Sequence, residues 1–151
     1  MKRRLWLACF IILLDQLTKA LARGLTEGVT LIPGLLGLRH CENTGIAFSL
    51  LSGRPWLLGI LSLVLVAAGW LLLRPYRLTG LAGWSAMLML GGALGNAIDR
   101  LFLGSVTDMV EVLCFRFAVF NVADIALTVG CVLMAASLLF RQKEWQRRDR
   151  S

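Results

Sequence analysis

Four apolar runs dominate this chain: residues 5–22, 56–73, 81–101 and 121–140. Each holds about 18–21 residues, or roughly 27–31 Å as an α-helix, enough to cross the hydrocarbon core of a bilayer. Inside hydrocarbon a backbone must satisfy its own hydrogen bonds, so a lone span of this length is a helix. The expected fold is therefore an α-helical polytopic membrane protein with four transmembrane helices, a single membrane-embedded domain over residues 1–151. A mean hydropathy of +0.74 and an apolar content of 58% exclude an ordinary soluble domain. The third run carries GGALG, which sets Gly91 and Gly95 at the small-xxx-small spacing that lets helices approach closely in lipid.

The net charge of +7 would suit nucleic acid or an anionic membrane surface, and its placement decides between them. Lys2, Arg3 and Arg4 precede the first run, and Arg74 and Arg77 break the second from the third. Arg141, Lys143, Arg147, Arg148 and Arg150 fill the tail. Ten of the sixteen Lys and Arg residues thus flank apolar spans, the positive-inside pattern rather than a nucleic-acid patch. Both termini are expected in the cytoplasm, with residues 23–55 and 102–120 outside. The first outer segment is rich in Gly and turn residues and reads as short strands broken at Pro33 and Gly34 and at Asn43, Thr44 and Gly45. The second, within VTDMVEVLCFRFAVF, suits either a strand or a short interfacial helix. The tail RQKEWQRRDR reads as a solvated, membrane-adjacent segment with Trp145 near the interface. Residues 1–14 have the form of a signal peptide, but the apolar run continues past Asp15 to Ala22, which favours a retained first helix. Cys9 and Cys131 lie inside apolar runs. Cys41 and Cys114 lie in the outer segments, and spacing leaves their pairing open. With no C-x-x-C and a single His, His40, a zinc site is not expected.

Against this topology the polar residues gather on one side. Asp15 and Lys19 stand at i,i+4 near the outer end of the first helix. Asn96, Asp99 and Arg100 fall in the last two turns of the third. Asp108 follows in the outer connection, Asn121 and Asp124 open the fourth helix, and Glu42 and Asn43 sit in the first outer segment. An ionised group within a span costs about 2.5–3.5 kcal/mol on insertion scales and usually marks function. Structural alternatives exist: a neutralising Asp15–Lys19 pair that locks the first helix, snorkelling Asn96 and Arg100, and an Asn121-x-x-Asp124 capping box.

Asp108 and Asp124 lie sixteen residues apart, on a connection able to return one to the other. Two carboxylates sharing a site share a proton, and such a dyad hydrolyses an amide with one member activating water and the other polarising the carbonyl. Competing chemistries lack motifs: there is no G-x-S-x-G and no P-loop. A metal cluster of Asp99, Asp108 and Asp124 has no specific spacing. A proton-coupled transporter is the main non-enzyme alternative, but its path needs polar groups on both sides of the midplane. No cofactor or metal is expected.

The blocks DQLTK (15–19), ENTGIAFSL (42–50), GGALGNAIDRL (91–101), SVTDMVEV (105–112) and FNVADIALTVG (120–130) together resemble bacterial lipoprotein signal peptidase, or signal peptidase II, over nearly the whole chain. The resemblance implies a membrane aspartic endopeptidase with four helices, an outer β-sheet cradle and a short outer helix. It implies cleavage of prolipoproteins just before a diacylglyceryl-modified Cys, in the bacterial cytoplasmic membrane, with the site near the outer face and no metal. By motif the catalytic pair is Asp108 and Asp124. Asn43, Asn96, Arg100 and Asn121 match the polar lining, with Gly45 in the same block as Asn43. Asp15, Lys19 and Asp99 match supporting positions. Globomycin-type inhibitors are expected to occupy the dyad, and the chain is expected to be a monomer. The link between the two Asp blocks is compact here, and Met109 stands where an aromatic is common.

Overall fold

The computed structural model describes residues 4–45 and 54–147. Lys2, Arg3, Gly53, Arg148, Arg150 and the second half of the ENTGIAFSL block lie outside them. The four expected spans are helices: α1 (Leu5–Ala22), α2 (Pro55–Leu73), α3 (Gly80–Phe102) and α4 (Val122–Phe140). Local chemistry sets their ends. Pro55 opens α2, where its missing N–H and fixed φ suit a first turn. Leu103 N and Gly104 N both donate to Asp99 O, and Gly104 turns the chain out of α3 at φ +79°, a conformation that favours glycine.

α3 is the central helix. Of its most apolar stretch 56% is buried, against 11% for α2, and α1, α2 and α4 all pack on it. Small residues make this possible. A methyl added at Gly91 would stand 2.8 Å from Ile11 Cβ of α1, and one at Gly130 of α4 would stand 2.7 Å from Met89 Cγ of α3. One at Gly59 of α2 would stand 2.7 Å from Leu101 Cγ. The outward faces stay apolar and exposed, with Leu65, Leu72, Val132 and Leu139 among the lipid-facing side chains.

At one end of the bundle β1 (Val29–Ile32), β2 (Leu36–Asn43) and β4 (Val106–Val112) form an antiparallel sheet in that order. The first outer segment is thus stranded as expected, turning at Gly34 with φ +69°. The second resolves as a strand, β4, and not as a helix. The chain then returns along its free edge: Phe120 N donates to Val110 O at 3.0 Å and Val110 N to Phe120 O at 2.8 Å.

At the other end the tail differs from expectation. It forms a turn of 3₁₀-helix (Gln142–Glu144) and β5 (Trp145–Arg147), which pairs with β3 (Tyr76–Leu78). The cause is the N-terminus of α3, whose first N–H groups lack helical partners. The Glu144 carboxylate accepts from Ala82 N at 2.8 Å and from Ser137 Oγ at 3.0 Å, and Trp145 Nε1 donates to Ser137 Oγ at 3.1 Å. Trp145 also meets Tyr76 edge to face at 5.9 Å. Cys9, Cys41, Cys114 and Cys131 all carry free thiols.

Candidate active site

Asp108 sits in the middle of β4, directly opposite Cys41 of β2. Side chains alternate along a strand, so Asn43, two residues beyond Cys41, shares the face of Asp108. Its Nδ2 donates to Asp108 Oδ2 at 3.0 Å. The Phe120–Val110 pairing then hands the chain to Asn121 beside the same carboxylate, and Asn121 Nδ2 donates to Asp108 Oδ1 at 2.6 Å. Both oxygens of Asp108 therefore accept from a neutral amide, and its side chain is almost fully buried.

Asp124 occupies the first turn of α4. Asn121 caps that helix, accepting from Asp124 N at 2.9 Å, while Asp124 Oδ2 accepts from Asn121 N at 3.2 Å, a reciprocal capping box. The remaining oxygen, Oδ1, accepts from Asn96 Nδ2 of α3 at 2.7 Å. Asn121 and Asn96 are joined at 3.2 Å, so one amide pair ties the two carboxylates together.

The direction of each amide is set by a group that only donates. Lys19 Nζ faces Asn96 Oδ1 at 2.9 Å, the N–H of Asp124 faces Asn121 Oδ1, and the N–H of Gly45 faces Asn43 Oδ1 at 3.1 Å. With the oxygens so occupied, all three NH₂ groups point at Asp108 or Asp124. Gly45 also accepts from Arg100 Nη2 through its carbonyl at 3.5 Å, and Arg100 is a cation facing both carboxylates.

Beneath this layer Asp15, Lys19 and Asp99 are wholly buried. Lys19 Nζ lies 2.8 Å from Asp15 Oδ2 and 3.1 Å from Asp99 Oδ2. Asp15 Oδ1 accepts from Ala123 N at 2.9 Å, and Asp99 Oδ2 from Thr107 N at 3.1 Å. Asp99 Oδ2 is thus shared between Lys19 and Thr107 N. Among the described residues no three His, Cys, Asp or Glu side chains group closely enough to hold a metal ion.

Burial raises the pKa of the Asp108 carboxyl above the ordinary range, and the negative charge of Asp124 adds to that. The Asn43 and Asn121 amides and the Lys19 ammonium oppose it. The arrangement is one carboxyl whose burial favours its protonated form beside a second held by neutral donors, a pair of the kind that acid–base hydrolysis of an amide can use.

The ten residues matched by motif all enter this network, either through a side chain or, for Gly45, through the backbone, whereas Glu42, noted beside Asn43, is exposed. Two were missed. Gln16 Nε2 donates to Asp99 Oδ1 at 2.9 Å and to Gly95 O at 3.2 Å, and Arg23 Nη1 reaches Thr107 Oγ1 at 3.1 Å. Gln16 adjoins Asp15 in a stretch already conspicuous for polarity, which was the available signal. Among the described residues the polar groups at the opposite end, Ser137 and Glu144, bond to each other, to Ala82 N and to Trp145.

Residues 7–140 match the family model described as Signal peptidase (SPase) II. The chain is 38% identical to the lipoprotein signal peptidase of Latilactobacillus sakei, over 91% of this chain and 93% of that protein. It is 40% identical to the lipoprotein signal peptidase of Nostoc sp., with 89% of each chain covered. In structure it is similar to a bacterial membrane enzyme solved in meso at 2.3 Å, with a TM-score of 0.82, 27% identity, and coverage of 92% of this chain and 88% of that one. A second such enzyme, solved at 1.9 Å, gives a TM-score of 0.77 at 26% identity, with 93% of this chain and 95% of that one covered.

Proposed function

This chain belongs to the signal peptidase II family, and from that membership we propose that Asp108 and Asp124 are the catalytic dyad with which it removes signal peptides from lipoproteins. It is an aspartic-type endopeptidase and a multi-pass membrane protein. The observation that carries the dyad is Asn121, which binds Asp108 through its side chain and Asp124 through both its side chain and its backbone.

In this reading Asp108 holds the shared proton and Asp124 is ionised. Asp124 takes a proton from a water, whose oxygen attacks the carbonyl carbon of the scissile peptide. Asp108 donates its proton to the carbonyl oxygen as the tetrahedral intermediate forms. Collapse breaks the C–N bond, the leaving amine takes the proton from Asp124, and the intermediate hydroxyl returns its proton to Asp108. Positioned proton transfer of this kind contributes about 10²–10⁴ in rate.

The substrate is a prolipoprotein cleaved just before a diacylglyceryl-modified Cys. The acyl chains stay in the bilayer, so the scissile bond is expected at headgroup depth, which suits Asp108 within the sheet and Asp124 in the first turn of α4. The basic flanks support an orientation with both termini in the cytoplasm and the sheet and dyad on the outer side of the bacterial inner membrane. Globomycin-type cyclic peptides are expected to occupy the dyad, and the enzyme is expected to act as a monomer. The test compares a diacylglyceryl-modified prolipoprotein with its unlipidated form, using purified enzyme in detergent. Cleavage of the lipidated form alone supports the substrate assignment, and equal cleavage of both contradicts it.

A further inference from the structure

Lys19 is a fully buried ammonium whose three donors meet three acceptors. Each acceptor leads to the dyad by a separate route. Asp15, salt-bridged to Lys19 through Oδ2, uses Oδ1 to hold Ala123 N, the residue before Asp124. Asp99 Oδ2, shared with Lys19, holds Thr107 N, the residue before Asp108. Asn96, whose oxygen accepts from Lys19, turns its amide to Asp124 Oδ1. A neutralising pair within α1 needs only Asp15. The two further acceptors come from α3, and their other bonds end on β4 and α4.

We infer that Lys19 is a positioning residue for the dyad, a single buried cation that fixes the backbone beside Asp108 and Asp124 and the amide that binds Asp124. Lys19 lies beneath the carboxylates and touches no substrate. Its loss leaves Asp15 and Asp99 as neighbouring buried carboxylates without their counter-ion, releases the Ala123 and Thr107 anchors, and frees Asn96 from one of the two donors on its oxygen. Among the described residues the charged groups around the dyad are Asp15 and Lys19 from α1, Arg23 just past its end, Asp99 and Arg100 from α3, and Asp108 and Asp124 themselves. Glu42 of β2 pairs with Thr107, out of step with Asn43 and Asp108. Removing Lys19 takes away one of the influences that lower the Asp108 pKa.

The inference rests on the dyad reading, and the experiment separates the two. Lys19→Met is purified, its folded fraction is measured by thermal unfolding, and its kinetics on the lipidated prolipoprotein are followed across pH. The expected result is a kcat lower by about 10²-fold, as misplacement near 1 Å gives, with KM within about threefold. The limb on which Asp108 loses its proton moves to higher pH. Because Lys19→Met leaves an excess buried negative charge, Asp15→Asn/Lys19→Met is measured alongside. It removes one charge of each sign and keeps the acceptor for Ala123 N. Recovery of yield without recovery of kcat or of the wild-type pH limb supports positioning. Wild-type kcat and pH profile in the folded fraction of either variant overturn it, as does a rise in KM at unchanged kcat. If Asp108→Asn and Asp124→Asn are inactive while Lys19→Met is normal, only this inference fails. If either Asp variant turns over normally, the dyad reading itself fails.

Discussion

Asn121 Nδ2 stands 2.6 Å from Asp108 Oδ1, the shortest bond that Asp108 receives, and the same residue is the N-cap of the helix that carries Asp124. In the proposed mechanism, capping and dyad alignment are therefore two tasks of one side chain. Asn121→Ser separates them. Serine caps a helix about as well as asparagine, so helix stability should change by only a few tenths of a kcal/mol. Serine cannot reach Asp108 with an amide, so kcat should fall by about 10²-fold. Thermal unfolding and kcat measured on one preparation check this. Full turnover would reduce Asn121 to a cap.

The Asp108 carboxyl is raised chiefly by burial, and the Asn43 amide works against that rise. The proposed mechanism needs this proton, so activity should fall as pH rises through the raised Asp108 pKa. Asn43→Ala removes a bond that stabilises the ionised form, so the pKa should rise further and the basic limb should move to higher pH. A pH–kcat/KM profile of the variant beside wild type reads the direction. A limb moving to lower pH would contradict the assignment of the proton to Asp108.

Gly95 links packing to chemistry. A methyl there would stand 2.7 Å from Asp15 Oδ2 and 3.3 Å from Ala123 Cβ. Gly95→Ala should cost about 1–3 kcal/mol of stability through overpacking, and should lower kcat as Asp15 and Ala123 shift. Gly91→Ala crowds Ile11 instead, about one and a half turns of α3 before Asn96, the nearest residue on that helix to bind the dyad. It should lower the unfolding midpoint with kcat kept. Equal kcat losses in the two variants would break the link between Gly95 and the site.

How much of this was legible follows from what each feature depends on. Span length and apolar content are local properties, so the four helices fall within a residue of the expected 5–22, 56–73, 81–101 and 121–140. The Asn121-x-x-Asp124 cap is also local and is present as spaced. Segment 102–120 was ambiguous because its apolar run carries neither a helical nor a strand period. The pairing of β4 with β2 and of Phe120 with Val110 decides it, through contacts distant in sequence. The tail read as solvated because its charges outnumber its apolar groups, yet Glu144 meets N–H groups of a helix that begins more than sixty residues earlier. Amide directions leave no trace in sequence at all. They emerge only when Lys19, the Asp124 N–H and the Gly45 N–H are seen to occupy the three asparagine oxygens.

The central claim is that Asp108 and Asp124 together hydrolyse the peptide. Its most direct test is the single-turnover rate on a diacylglyceryl-modified prolipoprotein for wild type, Asp108→Asn and Asp124→Asn, each shown to be folded by its thermal transition. Both variants are near-isosteric, and neither can exchange the proton the mechanism needs. The account predicts that each loses at least about 10³-fold in rate, within the range that removal of such groups produces, while remaining folded. A folded variant of either kind that cleaves at the wild-type rate would contradict it.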